Sequence, residues 1–170
     1  MTDSELPDWD RIVEHHAGRV FRVAMRILRS VQDAEDVSQD VFAEAFQLHT
    51  AGPVQSWTGL LVRLATLRSL DRLRRNRPSV ELREGDKTST VEPSEELEAR
   101  ELADWLQKAI AQLPDQQATV FVMHHFEQLS RDQVSAALGV SPEAVSTALY
   151  KARQRLLRQL AVFNQTADRE

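Results

Sequence analysis

The 170-residue chain contains no cysteine, which excludes disulfides, thiol catalysis and metal or iron–sulfur sites that need cysteine ligands. It also lacks any apolar run near the roughly 20 residues that a membrane-spanning helix requires. Its first stretch, MTDSELPDWD, is acidic and has no apolar centre of the kind found in signal peptides. We therefore expect a soluble, unexported protein that works in the reducing cytoplasm.

Charge is segregated along the chain. The 170 residues are enough for one ordinary domain or two small ones, 42% of them are hydrophobic, which allows a packed core, and the net charge is −5. Acid is concentrated at 33–44 and 84–104, whereas base, mostly arginine, is concentrated at 63–77 and 151–158. This distribution indicates at least two kinds of partner, and arginine favours phosphate and base-edge contacts.

The stretch 56–78 is the most informative one because it combines an apolar and a basic face. Leucines at steps of three and four predict the buried seam of a helix, formed by Leu60, Leu64, Leu67, Leu70 and Leu73. Arginines occupy the other faces, at Arg63, Arg68, Arg72, Arg74 and Arg75. Because guanidinium groups match phosphate geometry, we interpret this face as a nucleic-acid surface; a merely solvated helix face is the open alternative.

Two helical domains are predicted around this stretch. A helix covers about 9–28, and Asp33 is expected to cap a second helix with an acidic outer face. Pro78 ends the arginine-rich helix, and residues 78–94 are interpreted as a flexible linker because they lack apolar periodicity. The predicted fold class is therefore all-α, with two small helical domains.

The second domain is predicted to contain a helix-turn-helix. A helix at about 95–112 should direct six side chains inward, namely Leu97, Leu102, Trp105, Leu106, Ile110 and Leu113. A short helix follows at 114–127, Ser130 caps a helix that Gly139 ends, and Ser141 caps a final helix to about Leu160. The final helix would expose Ser146, Thr147, Tyr150, Lys151 and Arg153. In a helix-turn-helix these residues face DNA, although an ordinary helical hairpin has the same outline.

Three stretches resemble the extracytoplasmic-function group of bacterial RNA polymerase sigma factors. They are DAEDVSQDVF at 33–42, LVRLA and LDRLRR within 61–75, and LSRDQVSAALGVSPEAVSTALYKARQRL at 129–156. The resemblance covers nearly the whole chain. It implies sigma region 2 at 1–77, the linker at 78–94, sigma region 4 at 95–162 and a short tail at 163–170.

The resemblance also implies a function, that of binding core RNA polymerase and directing promoter-specific initiation of transcription. Polymerase would be bound by Asp33, Glu35, Asp36, Gln39 and Asp40. The promoter element about ten base pairs upstream of the start, the upstream-ten element, would be bound and opened by Arg63, Arg68, Arg72, Arg74 and Arg75. The element about thirty-five base pairs upstream would be read by Ser141, Ser146, Thr147, Tyr150, Lys151 and Arg153.

An anti-sigma partner is expected by resemblance, and no enzymatic activity, metal or cofactor is predicted. The chain departs from the family at Leu60 and Leu67, where tryptophan and asparagine are usual, and at Ser146 and Ala148, where lysine and arginine are frequent. Two alternatives remain open. One is a stand-alone helix-turn-helix regulator that binds operator DNA, and the other is a helical adaptor whose arginine faces are only solvated.

Overall fold

The computed structural model describes residues 8–76 and 95–167. These residues form seven α-helices and no strand, which confirms the all-α prediction. The helices are α1 (Trp9–Leu28), α2 (Val31–Ala51), α3 (Trp57–Arg75), α4 (Glu95–Ala111), α5 (Asp115–Phe121), α6 (Arg131–Leu138) and α7 (Pro142–Ala167). A π-helical turn, Val122–Phe126, follows α5. The predicted linker at 78–94 lies outside the described residues.

The first three helices pack around a common core. Helix α1 contributes a stripe at steps of three and four, formed by Val20, Val23, Ala24, Ile27 and Leu28, all buried. It lies against both α2 and α3, which also contact each other. Full burial of one such large side chain stabilises the fold by about 1.5–3 kcal/mol, so this stripe fixes the position of α1.

Helix α2 begins earlier than predicted. Its N-cap is Ser30, whose Oγ accepts a hydrogen bond from the Asp33 backbone N–H at 3.3 Å, so the expected cap at Asp33 is wrong. The break from α1 consists of Arg29, which adopts the left-handed conformation with φ 55°, and the extended Ser30. Asp33 instead lies in the first turn of α2, where the helix dipole favours a carboxylate.

The predicted leucine seam of α3 is only partly correct. Leu64 and Leu70 are buried, but Leu60, Leu67 and Leu73 are half-buried. The buried positions of α3 are Gly59, Leu61, Val62, Leu64, Ala65, Thr66, Ser69 and Leu70. A single stripe fails because α3 is covered on more than one side, by α1 and α2 and also by α5 and α6.

The second domain contains the predicted helix-turn-helix, formed by α6 and α7. Ser130 and Gln133 make a reciprocal capping box, in which the Gln133 N–H reaches Ser130 Oγ at 3.1 Å and the Ser130 N–H reaches Gln133 Oε1 at 2.8 Å. Gly139 ends α6 with φ 66°, a conformation that favours glycine. Ser141 Oγ then accepts from the Ala144 N–H at 3.1 Å and caps α7.

Three expectations for this domain are wrong. Leu97 and Leu102 are 47% and 50% exposed, because the first turns of α4 extend beyond the core. The predicted single helix at 114–127 is α5 followed by the π-helical turn, in which the Glu127 N–H bonds to the Val122 carbonyl at 3.1 Å. Helix α7 continues to Ala167, beyond its expected end at Leu160.

Candidate nucleic-acid and partner-binding surfaces

Helix α2 presents an acidic surface. Its apolar residues Ala34, Val37, Val41 and Ala45 are buried, so the residues between them face outward. Four of the five predicted polymerase-binding residues are exposed, namely Glu35, Asp36, Gln39 and Asp40. Asp33 is half-buried, and its side chain is directed toward α3. The result is an exposed acidic patch along more than one turn of α2.

Two arginines of α3 are paired with carboxylates of α2. Arg72 donates to Asp33 Oδ1 at 2.7 Å and to Asp36 Oδ2 at 3.1 Å, and Arg68 forms an ion pair with Glu44 at 2.6 Å. Hydrogen bonds to Glu44 and Asp33 raise the pKa of Arg68 and of Arg72, respectively. These contacts bring together residues that the sequence suggested for different partners.

The remaining arginines of the predicted DNA set differ in their surroundings. Arg74 is half-buried against the second domain, where it forms hydrogen bonds with the Ala111 and Leu113 carbonyls at 2.9 and 3.0 Å. Arg63 and Arg75 are exposed. Of the five arginines, these two offer their guanidinium groups most directly to a phosphate.

The start of α7 exposes most of the predicted base-reading residues. Ser141, Thr147 and Lys151 are exposed, and Tyr150 is 64% exposed. Ser146 is half-buried, and Ala148 is buried, so its difference from the family removes no surface contact. Val145 and Leu149 fix this register because they are buried against the rest of the domain.

Arg153 points away from this exposed face. Its guanidinium lies 3.3 Å from His125 Nε2, and the side chain is half-buried. Burial is the largest cause that lowers the pKa of His125, followed by the charges of Arg153 and His124. A neutral imidazole can accept a hydrogen bond from the guanidinium, so this contact is consistent with a role in packing α7.

Two basic residues of α7 lie in the basic run at 151–158 but were left out of the predicted DNA-binding set. Arg155 and Arg158 are exposed and line a groove together with Tyr150, Lys151 and Gln117. The spacing from Lys151 to Arg155 and Arg158 is four and then three residues, which places them on one helix face. That spacing was visible in the sequence and could have identified them.

Comparison with known proteins identifies the family. The family model for sigma-70 region 2 matches residues 12–78, and the model for sigma-70 region 4 matches residues 103–156. Together they cover most of the chain, one on each helical domain. The chain belongs to the sigma-70 family. Its relatives are sigma factors of the extracytoplasmic-function group.

Two relatives illustrate this similarity. The ECF RNA polymerase sigma factor SigE of Mycolicibacterium smegmatis is 33% identical, over 92% of this chain and 63% of its own length. The ECF RNA polymerase sigma factor SigW of Bacillus subtilis is 26% identical, over 88% of this chain and 87% of its own length. The chain thus spans less than two thirds of SigE.

Solved structures share the fold of this sigma-70-family chain. CnrH in complex with the cytosolic domain of CnrY has a TM-score of 0.60 at 21% identity, covering 91% of this chain and 88% of that one. The sigma factor RpoE in complex with the anti-sigma factor NepR, from Bartonella quintana, has a TM-score of 0.54 at 18% identity, covering 91% and 98%.

The region 2 match spans α1, α2 and α3 of this sigma-70-family protein, and the region 4 match runs from within α4 into α7.

Trp57 packs between Trp9 and His49, with ring centroids 5.8 and 5.3 Å away. Trp57 is half-buried because it packs against these two rings within the first domain. In the part of the chain that the structure describes, no helix is long and apolar enough to cross a membrane.

Proposed function

We propose that this chain is a transcription initiation factor that binds core RNA polymerase in the cytoplasm and directs it to promoters. It acts by binding and not by catalysis. The observation that carries the proposal is that the models for sigma-70 region 2 and region 4 match the two helical domains, one each. An acidic surface on a DNA-binding protein is explained if its partner is a protein with a basic docking surface.

The acidic patch of α2 is the proposed polymerase-docking surface. Glu35, Gln39 and Asp40 are exposed. None of the hydrogen bonds or ion pairs described above involves their side chains, so polymerase would not have to displace one of those contacts. Asp36 is exposed but shares Arg72 with Asp33. We therefore assign Asp33 mainly to positioning α2 against α3, and the exposed residues to the contact with polymerase.

The arginines of α3 are proposed to bind the upstream-ten element. Arg63 and Arg75 are exposed and suit direct phosphate contacts. Arg68 and Arg72 would have to exchange a carboxylate for a phosphate, and Arg74 would have to leave the second domain. Contributions to DNA binding should therefore be greatest for Arg63 and Arg75.

Helix α7 is proposed to bind the duplex at the element farther upstream. Ser141, Ser146, Thr147 and Tyr150 stand at its first turns, which approach base edges in a helix-turn-helix. Lys151, Arg155 and Arg158 continue the exposed face and are suited to the phosphate backbone. Arg153 supports this surface through its contact with His125.

A protein that covers the polymerase-docking surface of α2 and the DNA-binding surface of α7 is the proposed regulatory partner. The solved complex of RpoE with NepR supports such a partner for this chain, as an anti-sigma factor. The exposed surfaces of both α2 and α7 are available to it.

Capture of purified core RNA polymerase on the immobilised chain tests the proposed function. Wild-type protein should retain polymerase, and the double variant Glu35→Lys with Asp40→Lys should lose at least tenfold in affinity because two attractions become repulsions. The matched control is Glu98→Lys with Glu101→Lys, which makes the same change of charge on exposed residues of α4. Failure of the wild-type chain to retain polymerase would overturn the proposal, and tight binding to specific duplex DNA alone would favour the stand-alone regulator.

A further inference from the structure

A cavity of 310 Å³ lies between the two domains. On the side of the first domain it is lined by Arg63 and Leu67 of α3. The second domain contributes Asp115, Gln116, Thr119, Leu138 and Val140. Pockets for small ligands typically have volumes of about 300–1,000 Å³ and occur preferentially at domain interfaces. The size and the position of this cavity are therefore those of a small-molecule site.

Part of the cavity wall is apolar. Leu67, Leu138 and Val140 line it, and all three are half-buried, so the fold leaves part of their apolar surface uncovered. A ligand with an apolar body would remove this surface from water, which is favourable in proportion to the area covered. The apolar wall thus favours a ligand that is largely hydrocarbon.

Arg63 supplies a cation that is not engaged elsewhere. The other arginines that pair within the fold, Arg68, Arg72 and Arg74, are bound to carboxylates. Among residues 8–76 and 95–167, by contrast, the Arg63 guanidinium forms neither a hydrogen bond nor an ion pair. A guanidinium presents a planar fork of donors that matches a carboxylate or a phosphate. Arg63 is therefore suited to bind an anionic group of a ligand in the cavity.

Thr119 supplies a buried hydroxyl without a partner. The residue is only 4% exposed and lines the cavity. A threonine within a helix can bond back to the carbonyl four residues earlier, as Thr66 does with Val62 at 2.8 Å. Within the described parts of the chain, the Thr119 hydroxyl forms no such bond and no other hydrogen bond. Because a buried polar group without a partner is unfavourable, an oxygen atom of a ligand would supply what the fold does not.

Charge and volume narrow the class of ligand. Asp115 also lines the cavity, and although it is paired with Arg74 at 2.9 Å, its negative charge disfavours a dianion such as a phosphate monoester. A single negative charge matches Arg63 alone. The volume of 310 Å³ corresponds to about ten non-hydrogen atoms if each takes the roughly 30 Å³ that a water molecule occupies in the liquid.

We propose that this cavity binds a small monocarboxylate with an apolar chain, of the size of a medium-chain fatty acid. The carboxylate pairs with Arg63 and accepts a hydrogen bond from the Thr119 hydroxyl, and the chain packs against Leu67, Leu138 and Val140. The binding itself is independent of the proposed function. One consequence does rest on it: a bound carboxylate occupies Arg63, which is proposed to contact the upstream-ten element.

Isothermal titration calorimetry of the full-length chain with octanoate tests the site, and 1-octanol is the matched ligand without a charge. Wild-type protein should bind octanoate about tenfold more tightly than 1-octanol, because only octanoate can form charge-assisted hydrogen bonds with Arg63. Arg63→Gln should abolish this difference. The control Arg11→Gln removes an exposed arginine of α1 that does not line the cavity, and it should leave the difference unchanged.

Two further variants locate the ligand. Thr119→Val keeps the shape of the side chain but removes the hydroxyl, so it should weaken octanoate binding by about threefold. Val140→Trp places a large ring in the cavity and should weaken the binding of both ligands by at least about tenfold, because the ligand and the ring cannot occupy the same space. Circular dichroism checks that each variant retains the helical content of wild type.

Three results would overturn this inference. They are the absence of octanoate binding by the wild-type chain, equal affinities of the wild-type chain for the two ligands, and octanoate binding that neither Arg63→Gln nor Val140→Trp weakens. If Arg63 contacts DNA as proposed, saturating octanoate should weaken the binding of a fluorescent single-stranded oligonucleotide by wild type and not by Arg63→Gln; undiminished binding would overturn that consequence alone. A chain that binds octanoate as expected but fails to retain core polymerase would instead contradict the proposed function.

Discussion

Replacing Leu70 and Leu67 by alanine tests how α3 is oriented. Leu70 is fully buried in the first domain, whereas Leu67 is half-buried beside the 310 Å³ cavity between the domains. Truncation of a buried leucine removes its transfer free energy and leaves a cavity, so Leu70→Ala should lower the free energy of unfolding by about 3 kcal/mol. Leu67→Ala should cost about 1 kcal/mol, because its surroundings are already partly open.

Urea unfolding followed by tryptophan fluorescence measures this difference. Trp9 and Trp57 are in contact in the first domain. The third tryptophan of the sequence, Trp105, lies in α4 of the second domain, and the substitution Trp105→Phe removes it from all the proteins compared. The fluorescence signal then reports on α1 to α3. With a slope of about 2 kcal/mol per molar urea, the midpoint should fall by about 1.5 M for Leu70→Ala and by about 0.5 M for Leu67→Ala. Equal shifts, or a larger shift for Leu67→Ala, would refute this orientation of α3.

Two further predictions concern protonation and DNA. Burial, followed by the charges of His15 and Arg19, lowers the pKa of His16 below 6.5, and burial also lowers that of His125. The folded chain therefore binds fewer protons than the unfolded chain, and its stability should decrease as the pH falls through 6.5. Urea midpoints at about pH 7.5 and about pH 5.5 should differ less in His16→Gln with His125→Gln than in wild type; an unchanged difference would contradict this. In the double variant Arg155→Ala with Arg158→Ala, the slope of log affinity for duplex DNA against log salt concentration should become shallower by the amount expected for about two lost phosphate contacts. The control Arg11→Ala with Arg22→Ala should leave this slope unchanged. Equal slopes for all three proteins would remove these arginines from the DNA surface.

Local sequence signals predicted the second domain's motif well. Ser130, Gln133, Gly139 and Ser141 act within a few residues of their own positions, so the ends of α6 and the start of α7 follow from capping and backbone preference alone. The same locality explains the exposed face of α2, where the alternation of buried and acidic residues is set by the helical repeat. The cap of α2 was misassigned because both Ser30 and Asp33 are acceptable cap residues.

Long-range contacts were not predictable from the sequence. Arg72 and Asp33 are 39 residues apart, and Arg74 and Asp115 are 41 apart, so no local pattern links them. The charge runs were correctly located but were assigned to separate partners, although part of each is paired with the other in the fold. Likewise, the leucine spacing of α3 could not indicate that a second domain covers another side of the helix.

Initiation of transcription by core RNA polymerase tests the central claim most directly. Purified core polymerase would be mixed with genomic DNA fragments, with and without the wild-type chain, and the 5′ ends of the transcripts would be mapped. The proposed function predicts that the chain adds transcripts that start at a small number of discrete positions. Transcripts with the same abundance and the same scattered 5′ ends in both reactions would contradict it.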